Sequence, residues 1–276
     1  MEQTNVVPAA PGVMRGMRGI VLGVANSRSI AWGIARAVHA AGAELGLTFQ
    51  GEALEKRVRP LAQELGAEVF GHCDVTDGAT IDAVFAAAEK KWGGLDFIVH
   101  CIAFADKDQL TGRYIDTTED NFAKSLAISC YSFTAIAQRA EKLMAKGGSM
   151  LTLTYYGAEK WMPHYNVMGV AKAALEASVR YLAADFGPDN IRVNAISAGP
   201  IRTLAGAGIA DARFMFNFQR AHSPLRRTVT IENVGGAALY LLSGLSEGVT
   251  GEVHFVDAGY NIISMPRPED IKNGGG

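Results

Sequence analysis

Short apolar runs alternate with longer amphipathic stretches along this chain of 276 residues, and that alternation limits the folds open to it. A short apolar run predicts a buried strand, whereas apolar residues at helical spacing predict a helix with one buried face. Strands that alternate with helices of ten or more residues indicate a parallel sheet, because each crossover lays a helix on one face. We therefore predict an α/β fold in which helices cover both faces of a doubly wound parallel sheet of about seven strands.

The predicted elements belong to one domain. Strands are predicted at residues 19–24, 44–49, 68–75, 95–103, 149–154, 191–196 and 252–256, and helices at residues 30–41, 54–65, 81–92, 165–185 and 231–242. A further long helix should follow a capping box of Thr117 and Asp120 and run to about Met144. The pattern shows no repeat or linker, so we predict a single Rossmann-type domain at residues 16–265, between a loose tail at residues 1–15 and a frayed tail at residues 266–276.

The longest unassigned connection runs from Arg202 to about Arg227, after the sixth predicted strand. In doubly wound sheets ligands bind beyond the carboxyl ends of the strands. A long connection at that edge is placed to act as a lid over a ligand.

The overall composition excludes several classes of function. The net charge is −2 with both signs dispersed, which implies neither a nucleic-acid partner nor a membrane surface. No apolar run approaches the roughly 18 residues that a bilayer span needs. The cysteines, Cys73, Cys101 and Cys130, are odd in number and form no C-x-x-C pair, which fits a cytoplasmic protein and argues against disulfides and a zinc site. The six histidines form no i, i+4 pair, so no metal site is predicted.

The first strand, turn, helix and strand have the order of a mononucleotide-binding unit. This order places the N-terminus of the helix beside the carboxyl end of the strand, where backbone N–H groups and the helix dipole suit a pyrophosphate. Gly23 and Gly33 are present, but Ala25, Ser27 and Ser29 stand between them, so the G-x-G-x-x-G motif is not matched. The stretch alone is compatible with a phosphate site and equally with a tight structural turn.

Tyr165 and Lys172 are seven residues apart in the helix predicted at residues 165–185. Two turns of roughly 3.6 residues place both side chains on the same side. A phenol there can donate to a developing oxyanion, while the ammonium holds a ligand and lowers the pKa of the phenol. The helix alone leaves open a second interpretation, a core tyrosine and an unrelated surface lysine.

Two other motifs are rejected because their predicted setting is wrong. The G-x-S-x-G pattern at residues 244–248 needs a strand before it and a helix after it, but here a helix precedes and a strand follows. We interpret it as a turn. Tyr156 and Lys160 have the Tyr-x-x-x-Lys spacing of a catalytic pair, but that spacing requires a helix. This copy follows a strand and precedes Pro163, so we do not assign it a catalytic role.

The order of the elements and the N-A-I-S-A-G-P turn at residues 194–200 resemble the short-chain dehydrogenase/reductase superfamily. In its ordinary members the tyrosine precedes the lysine by four residues, a position that Met168 occupies here. The Tyr-x6-Lys spacing, with the stretches at residues 23–33, 151–159 and 199–205, resembles the bacterial enoyl-acyl-carrier-protein reductases. The resemblance extends from about residue 16 to residue 264.

This resemblance implies NADH-dependent reduction of the trans-2 double bond of enoyl-acyl-carrier-protein thioesters, the last reductive step of bacterial fatty acid elongation, by a homotetramer. It implies that Tyr165, Tyr155 and Lys172 are catalytic, and that Ala105 and Met168 join the two tyrosines in contacting the substrate. The cofactor contacts that it implies are Gly23, Ser29, Ile30, Gln50, Asp74, Val75, Ile102, Lys172, Ile201, Arg202, Thr203, Leu204 and Ala205.

The chain departs from the family at several positions, and its residues leave two other functions open. Residues 49–52 include no cation that could bind the 2′-phosphate of NADPH, and Glu52 would repel it. NADH is therefore favoured, unless the side chain of Lys56 or Arg57 reaches that phosphate. Ala103 stands where many members have glycine, which predicts weaker binding of flat diphenyl-ether inhibitors. Ala210 and Phe214 stand beside Arg213 where further cations are expected, so docking of the carrier protein is expected to be weaker or to use other arginines. The alternative functions are a short-chain dehydrogenase acting on a carbonyl and a non-catalytic dinucleotide sensor.

Overall fold

Seven short apolar strands lie side by side in this computed structural model, which describes residues 12–203, 212–265 and 267. The strands are β1 Arg18–Leu22, β2 Glu44–Phe49, β3 Glu68–His72, β4 Phe97–His100, β5 Gly148–Thr154, β6 Ile191–Ala198 and β7 Val253–Val256. Every neighbouring pair is parallel, and the order across the sheet is β3-β2-β1-β4-β5-β6-β7. The predicted α/β class and seven-stranded parallel sheet are therefore confirmed. The strand order reverses between β1 and β4, and such switch points are where doubly wound sheets bind ligands.

Helices cover both faces of this sheet, as predicted. They are α1 Ile30–Ala40, α2 Gly51–Glu64, α3 Gly78–Trp92, α4 Glu119–Leu126, α5 Ser132–Ala140, α6 Asn166–Phe186, α7 Ala212–His222 and α8 Ile231–Leu242. Successive residues of a strand point to opposite faces. In β1, Val21 joins the core under α1, α2 and α8, whereas Ile20 and Leu22 join the core under α3, α5 and α6. The two apolar cores hold the sheet rigidly beneath its carboxyl edge.

The helix predicted to run from Thr117 to Met144 is wrong in two respects. Its N-cap is Thr118, whose hydroxyl accepts from the Asn121 N–H, and not Thr117 with Asp120. The helix is also divided, because a π-helical segment, Ala127–Tyr131, separates α4 from α5. Within and beside this segment Ser129 bonds to the carbonyl of Phe104 at 3.0 Å and Ser132 bonds to the carbonyl of Ile128 at 2.6 Å. A hydroxyl that bonds to the carbonyl four residues earlier, as Ser132 does, competes with the regular helical ladder, while the bond of Ser129 ties the segment to the residues that follow β4.

The first described residues pack against the domain. Met14 is completely buried, and its backbone N–H donates to the carbonyl of Ala41 at 3.0 Å. Packing therefore extends to residues before the predicted boundary at residue 16. Of the predicted C-terminal tail the structure describes residue 267 alone. None of the described helices combines the length and apolar composition needed to cross a membrane.

Candidate active site

A cavity of about 370 Å³ opens at the carboxyl edge of the sheet, around the switch point between β1 and β4. Its walls come from the ends of five neighbouring strands, the first turn of α1, the π-helical segment and one side chain of α6. The predicted cofactor contacts that line it are Gly23, Ser29, Ile30, Gln50, Asp74, Val75, Ile102, Lys172 and Thr203. Nine residues that are distant in sequence therefore meet in one cleft.

The turn between β1 and α1 forms one wall of this cavity. Gly23 has a φ of +95°, and a Cβ at this position would collide with the carbonyl of Cys101, so only glycine fits. The hydroxyl of Ser29 donates to the carbonyl of Asn26 at 2.7 Å and makes no capping bond to α1. The serine thus holds the turn in place while the first-turn amides of α1 face no side-chain cap. An uncapped helix N-terminus at a cavity suits an anion such as a pyrophosphate.

Gln50 and Asp74 close the cavity at the ends of β2 and β3. The amide of Gln50 donates to a carboxylate oxygen of Asp74 at 3.0 Å. Hydrogen bonds from Thr76, and then the one from Gln50, hold the pKa of Asp74 below its usual value. This end of the cavity therefore carries a fixed negative charge together with amide hydrogen-bonding groups.

Lys172 lies at the other end of the cavity and is almost completely buried. Its Nζ donates to the carbonyl oxygen of Leu153 in β5 at 2.8 Å. Burial lowers the pKa of this ammonium to about 8. The interpretation of Lys172 as an unrelated surface lysine is therefore wrong.

Tyr165 is the N-cap of α6 and not a residue within the helix, so the prediction that this helix begins at Tyr165 is wrong. The residues on either side, His164 and Asn166, both have positive φ angles, of 58° and 33°. The positive φ of His164 keeps the chain before the tyrosine out of the right-handed helix, which starts at Asn166. Tyr165 is nonetheless buried, with 8% of its surface exposed, and its ring stands edge-on to that of Tyr155 at a centroid distance of 5.0 Å.

The predicted lowering of the pKa of Tyr165 by Lys172 is also wrong in this structure. Burial raises the pKa of Tyr165, and the neighbouring Tyr155 and Glu176 act in the same direction. Burial likewise raises the pKa of Tyr155. Both phenols are therefore protonated near neutral pH and are available as hydrogen-bond donors.

The predicted substrate contacts come together beside the tyrosines. Ala105, Tyr165 and Met168 belong to one apolar cluster, against which Tyr155 packs. A second cavity, of about 310 Å³, adjoins Tyr155 and is roofed by α7, which lies in the connection predicted to act as a lid. Its other lining residues are Trp161, Met162, Pro163, Phe214, Met215, Phe218, Gln219 and Tyr260. This largely apolar space suits an alkyl chain.

Of the other predicted cofactor contacts, Ile201 and Arg202 do not line the main cavity. Ile201 is half-buried and packs against the core, and the guanidinium of Arg202 lies 5.7 Å from the ring centre of Phe216. Leu204 and Ala205 lie outside the described residues.

Sequence reasoning missed a buried carboxylic acid next to this site. Glu176 lies one turn after Lys172 in α6 and is 7% exposed. The hydroxyl of Thr154 donates to its Oε1 at 2.6 Å, while burial raises the pKa of the carboxyl group. The i, i+4 spacing from Lys172 was the available signal.

His100 was also missed. It is fully buried, and its ring nitrogens bond to Thr152 at 2.9 Å and Ser132 at 2.8 Å. Burial, and then the charge of Lys172, lowers the pKa of His100 to about 3. The imidazole is therefore neutral and holds β4, β5 and α5 together below the cavity.

Both rejected motifs lie in short turns and not in the settings that their chemistry requires. Tyr156 donates to the carbonyl of Asn261 at 3.1 Å, and its ring packs edge-on against Phe255 and Tyr260. Ser246 is buried in a turn, where it donates to the carbonyl of Leu241 at 3.1 Å. Among the described residues no group of histidine, cysteine and acidic side chains is placed to bind a metal.

Comparison with known proteins gives one consistent family. The sequence profile described as Enoyl-(Acyl carrier protein) reductase matches residues 23–261. The chain is 68% identical over 256 residues to the NADH-dependent enoyl-acyl-carrier-protein reductase 1 of Rhizobium meliloti (strain 1021). The matched region covers 93% of this chain and 94% of that protein.

Two solved structures agree with this comparison. One is the enoyl-acyl-carrier-protein reductase of Anaplasma phagocytophilum in complex with NAD, which is 56% identical to this chain with a TM-score of 0.91. The matched region covers 94% of this chain and 99% of that chain. The other is the Bacillus cereus enzyme with NADP+ and indole naphthyridinone, which is 50% identical to this chain with a TM-score of 0.90. The matched region covers 92% of this chain and 99% of that chain.

Proposed function

This chain belongs to the enoyl-acyl-carrier-protein reductase family, and we propose that the nicotinamide cofactor binds in its main cavity and the acyl chain of the enoyl thioester in the cavity under α7. The chain is an NADH-dependent oxidoreductase of fatty acid biosynthesis, which reduces the trans-2 double bond of enoyl-acyl-carrier-protein thioesters. The observation that carries the assignment of the site is the buried Lys172 at the end of the main cavity, on the helix that begins directly after Tyr165, whose ring packs against that of Tyr155.

The main cavity fits a dinucleotide. Its uncapped α1 N-terminus suits the pyrophosphate, and Gln50 and Asp74 offer hydrogen-bonding groups to an adenosine. Lys172, at the other end, would hold the ribose hydroxyls next to the nicotinamide. Bound NADH supplies the hydride that the reaction requires. We propose that Ile201, Arg202, Leu204 and Ala205 complete this site when the connection before α7 closes.

The protein's own contribution is to hold the charge that develops on the substrate. When a hydride adds to the β-carbon of an enoyl thioester, negative charge gathers on the thioester oxygen. A protonated, buried phenol is well suited to stabilise it, because a donor fixed in a dry site needs little reorganisation. We assign this role to Tyr165 and the neighbouring position, lining the acyl site, to Tyr155.

The cavity under α7 accommodates the acyl chain in this proposal. Gln219 of α7 donates to the hydroxyl of Tyr155 at 3.4 Å, so the helix is linked directly to the catalytic pair. Apolar side chains of α7 and of residues 161–163 exclude water from the thioester. Arg213, exposed on the outer side of α7, would meet the acidic carrier protein.

We further propose a cytoplasmic homotetramer. The three cysteines are all free, as a reducing compartment favours. Tyr131 and Tyr181 are exposed large aromatic residues on the packed pair formed by the π-helical segment and α6, and they are candidates for a subunit interface. Light scattering coupled to size-exclusion chromatography tests the tetramer directly.

The activity is tested by following NADH absorbance with two substrates offered separately. An enoyl thioester should be reduced, whereas a β-ketoacyl thioester should not. Turnover of the ketoacyl substrate alone would show a carbonyl reductase, and binding of NADH without turnover of either substrate would show a dinucleotide sensor.

A further inference from the structure

The edge strand β3 is bent where it approaches the cavity. Its pairing with β2 shifts by one residue between Leu47 and Thr48 of β2, which is a β-bulge. Gly71, within the bulged part of β3, has a φ of +110°, which side-chain-bearing residues rarely adopt. Bulges redirect the side chains that follow them. The side chain that follows here is His72, at the end of the strand.

His72 contacts the N-terminus of α2. Its Nδ1 accepts a hydrogen bond of 3.0 Å from the backbone N–H of Gly51, the first residue of the helix. Since an amide only donates, Nδ1 carries no proton while this bond exists, and the ring is neutral with its hydrogen on Nε2. Gln50, the residue before Gly51, lines the cavity and bonds to Asp74. His72 therefore lies directly behind Gln50, one of the two residues proposed to bind the adenosine.

Three sets of charged groups lie near His72. The first is Arg59 of α2, which is paired with Glu55 and stacks over the ring of Phe49, and that ring lies 6.3 Å from the imidazole. Asp74 follows β3, and its low pKa, caused first by the hydrogen bond from Thr76, keeps it negative. The remaining charged residues in the first two turns of α2 are the exposed Glu52, Lys56 and Arg57.

We propose that His72 is a positioning residue that makes the choice between NADH and NADPH depend on pH, a role that rests on the cofactor site proposed above. Neutral His72 occupies the Gly51 amide and leaves the negative charge of Glu52 to oppose a 2′-phosphate. Protonation places a hydrogen on Nδ1, breaks the bond to Gly51 and adds a positive charge beside the ribose site. A freed amide at a helix N-terminus and a nearby cation both favour a 2′-phosphate.

The test compares the wild-type protein with His72→Asn, because the Asn carbonyl can accept from Gly51 but cannot become charged. Dissociation constants for NADPH and NADH are measured by nucleotide fluorescence at pH 8 and pH 6, without thioester. In the wild type the ratio of the NADPH constant to the NADH constant should fall on the order of 3- to 10-fold between pH 8 and pH 6. In His72→Asn the ratio should change only by the smaller amount that the titration of the cofactor's own 2′-phosphate near pH 6 causes.

His39→Asn, at the exposed end of α1, is the matched control and should respond as the wild type does. His72→Gln provides a second uncharged variant if His72→Asn does not fold. Equal pH responses in the wild type and the folded His72 variant would overturn the role of His72. Failure of the wild type to reduce an enoyl thioester with NADH would instead contradict the proposed function, so the two failures are distinguishable.

Discussion

The Nζ of Lys172 and the carbonyl oxygen of Leu153 are joined by a hydrogen bond of 2.8 Å that ties α6 to the end of β5. This bond fixes an ammonium group in a buried position at the cavity. A buried lysine lowers the stability of the folded protein, because burial penalises its charged form. That cost is measurable, and it leads to the first prediction.

Lys172→Met should be more stable than the wild type at neutral pH, and this advantage should shrink at alkaline pH. Burial lowers the pKa of Lys172 from 10.5 to about 8, so between these values the unfolded chain binds a proton that the folded protein does not. The free energy of unfolding of the wild type therefore rises with pH in this window, by up to about 3 kcal/mol. Urea denaturation of both proteins from pH 7 to pH 10.5 measures the difference.

Lys160→Met, at an exposed position, is the control for that series. Its stability difference from the wild type should not change between pH 8 and pH 10.5. If the difference in free energy of unfolding between Lys172→Met and the wild type also stayed constant over this pH range, Lys172 would not titrate with a lowered pKa. Lys172→Met should also weaken NADH binding at pH 7, which nucleotide fluorescence would show.

Thr154→Val should destabilise the protein by about 1–3 kcal/mol, because it leaves the buried carboxyl group of Glu176 without its 2.6 Å hydrogen bond. The same substitution in a Glu176→Gln background should cost less. Chemical denaturation of the four proteins gives the coupling energy, which should lie in the range of about 0.5–3 kcal/mol for interacting neighbours. Additive effects would mean that the two side chains do not depend on each other.

Ala103→Gly should bind flat diphenyl-ether inhibitors more tightly than the native protein. Ala103 is exposed on the wall of the main cavity, so its methyl group does not point into the core. One excess methyl in a tight contact typically costs about 1–3 kcal/mol, which corresponds to a tightening of about 5- to 150-fold when it is removed. Inhibition constants for the two proteins decide this, and identical values would show that the methyl is irrelevant to the pocket.

The fold could be predicted from periodicity because buried parallel strands leave a clear signal. All four residues of β4 are buried, and an apolar run of this kind between helical stretches has few other interpretations. The position of Lys172 at the cavity also followed from the sequence, since α6 is regular over that part.

The immediate surroundings of Tyr165 could not be predicted in the same way. Positive φ angles at His164 and Asn166 mark the turn from which α6 starts, one residue after the predicted position, and no periodic pattern reports such a turn. The direction of the pKa shift depends on burial, which depends on long-range packing against Tyr155. The π-helical segment likewise depends on the distant contact between Ser129 and Phe104.

The central claim is that Tyr165, and not Tyr156, donates to the substrate oxygen, and single-turnover kinetics of NADH oxidation by an enoyl thioester test it most directly. Tyr165→Phe should slow the hydride-transfer step on the order of 10- to 1000-fold while leaving the dissociation constant for NADH almost unchanged, as expected for the loss of one donor to a developing oxyanion. Tyr156→Phe, which removes a hydrogen bond to the backbone carbonyl of Asn261, should transfer hydride at nearly the wild-type rate. A slower hydride transfer in Tyr156→Phe than in Tyr165→Phe would contradict the account.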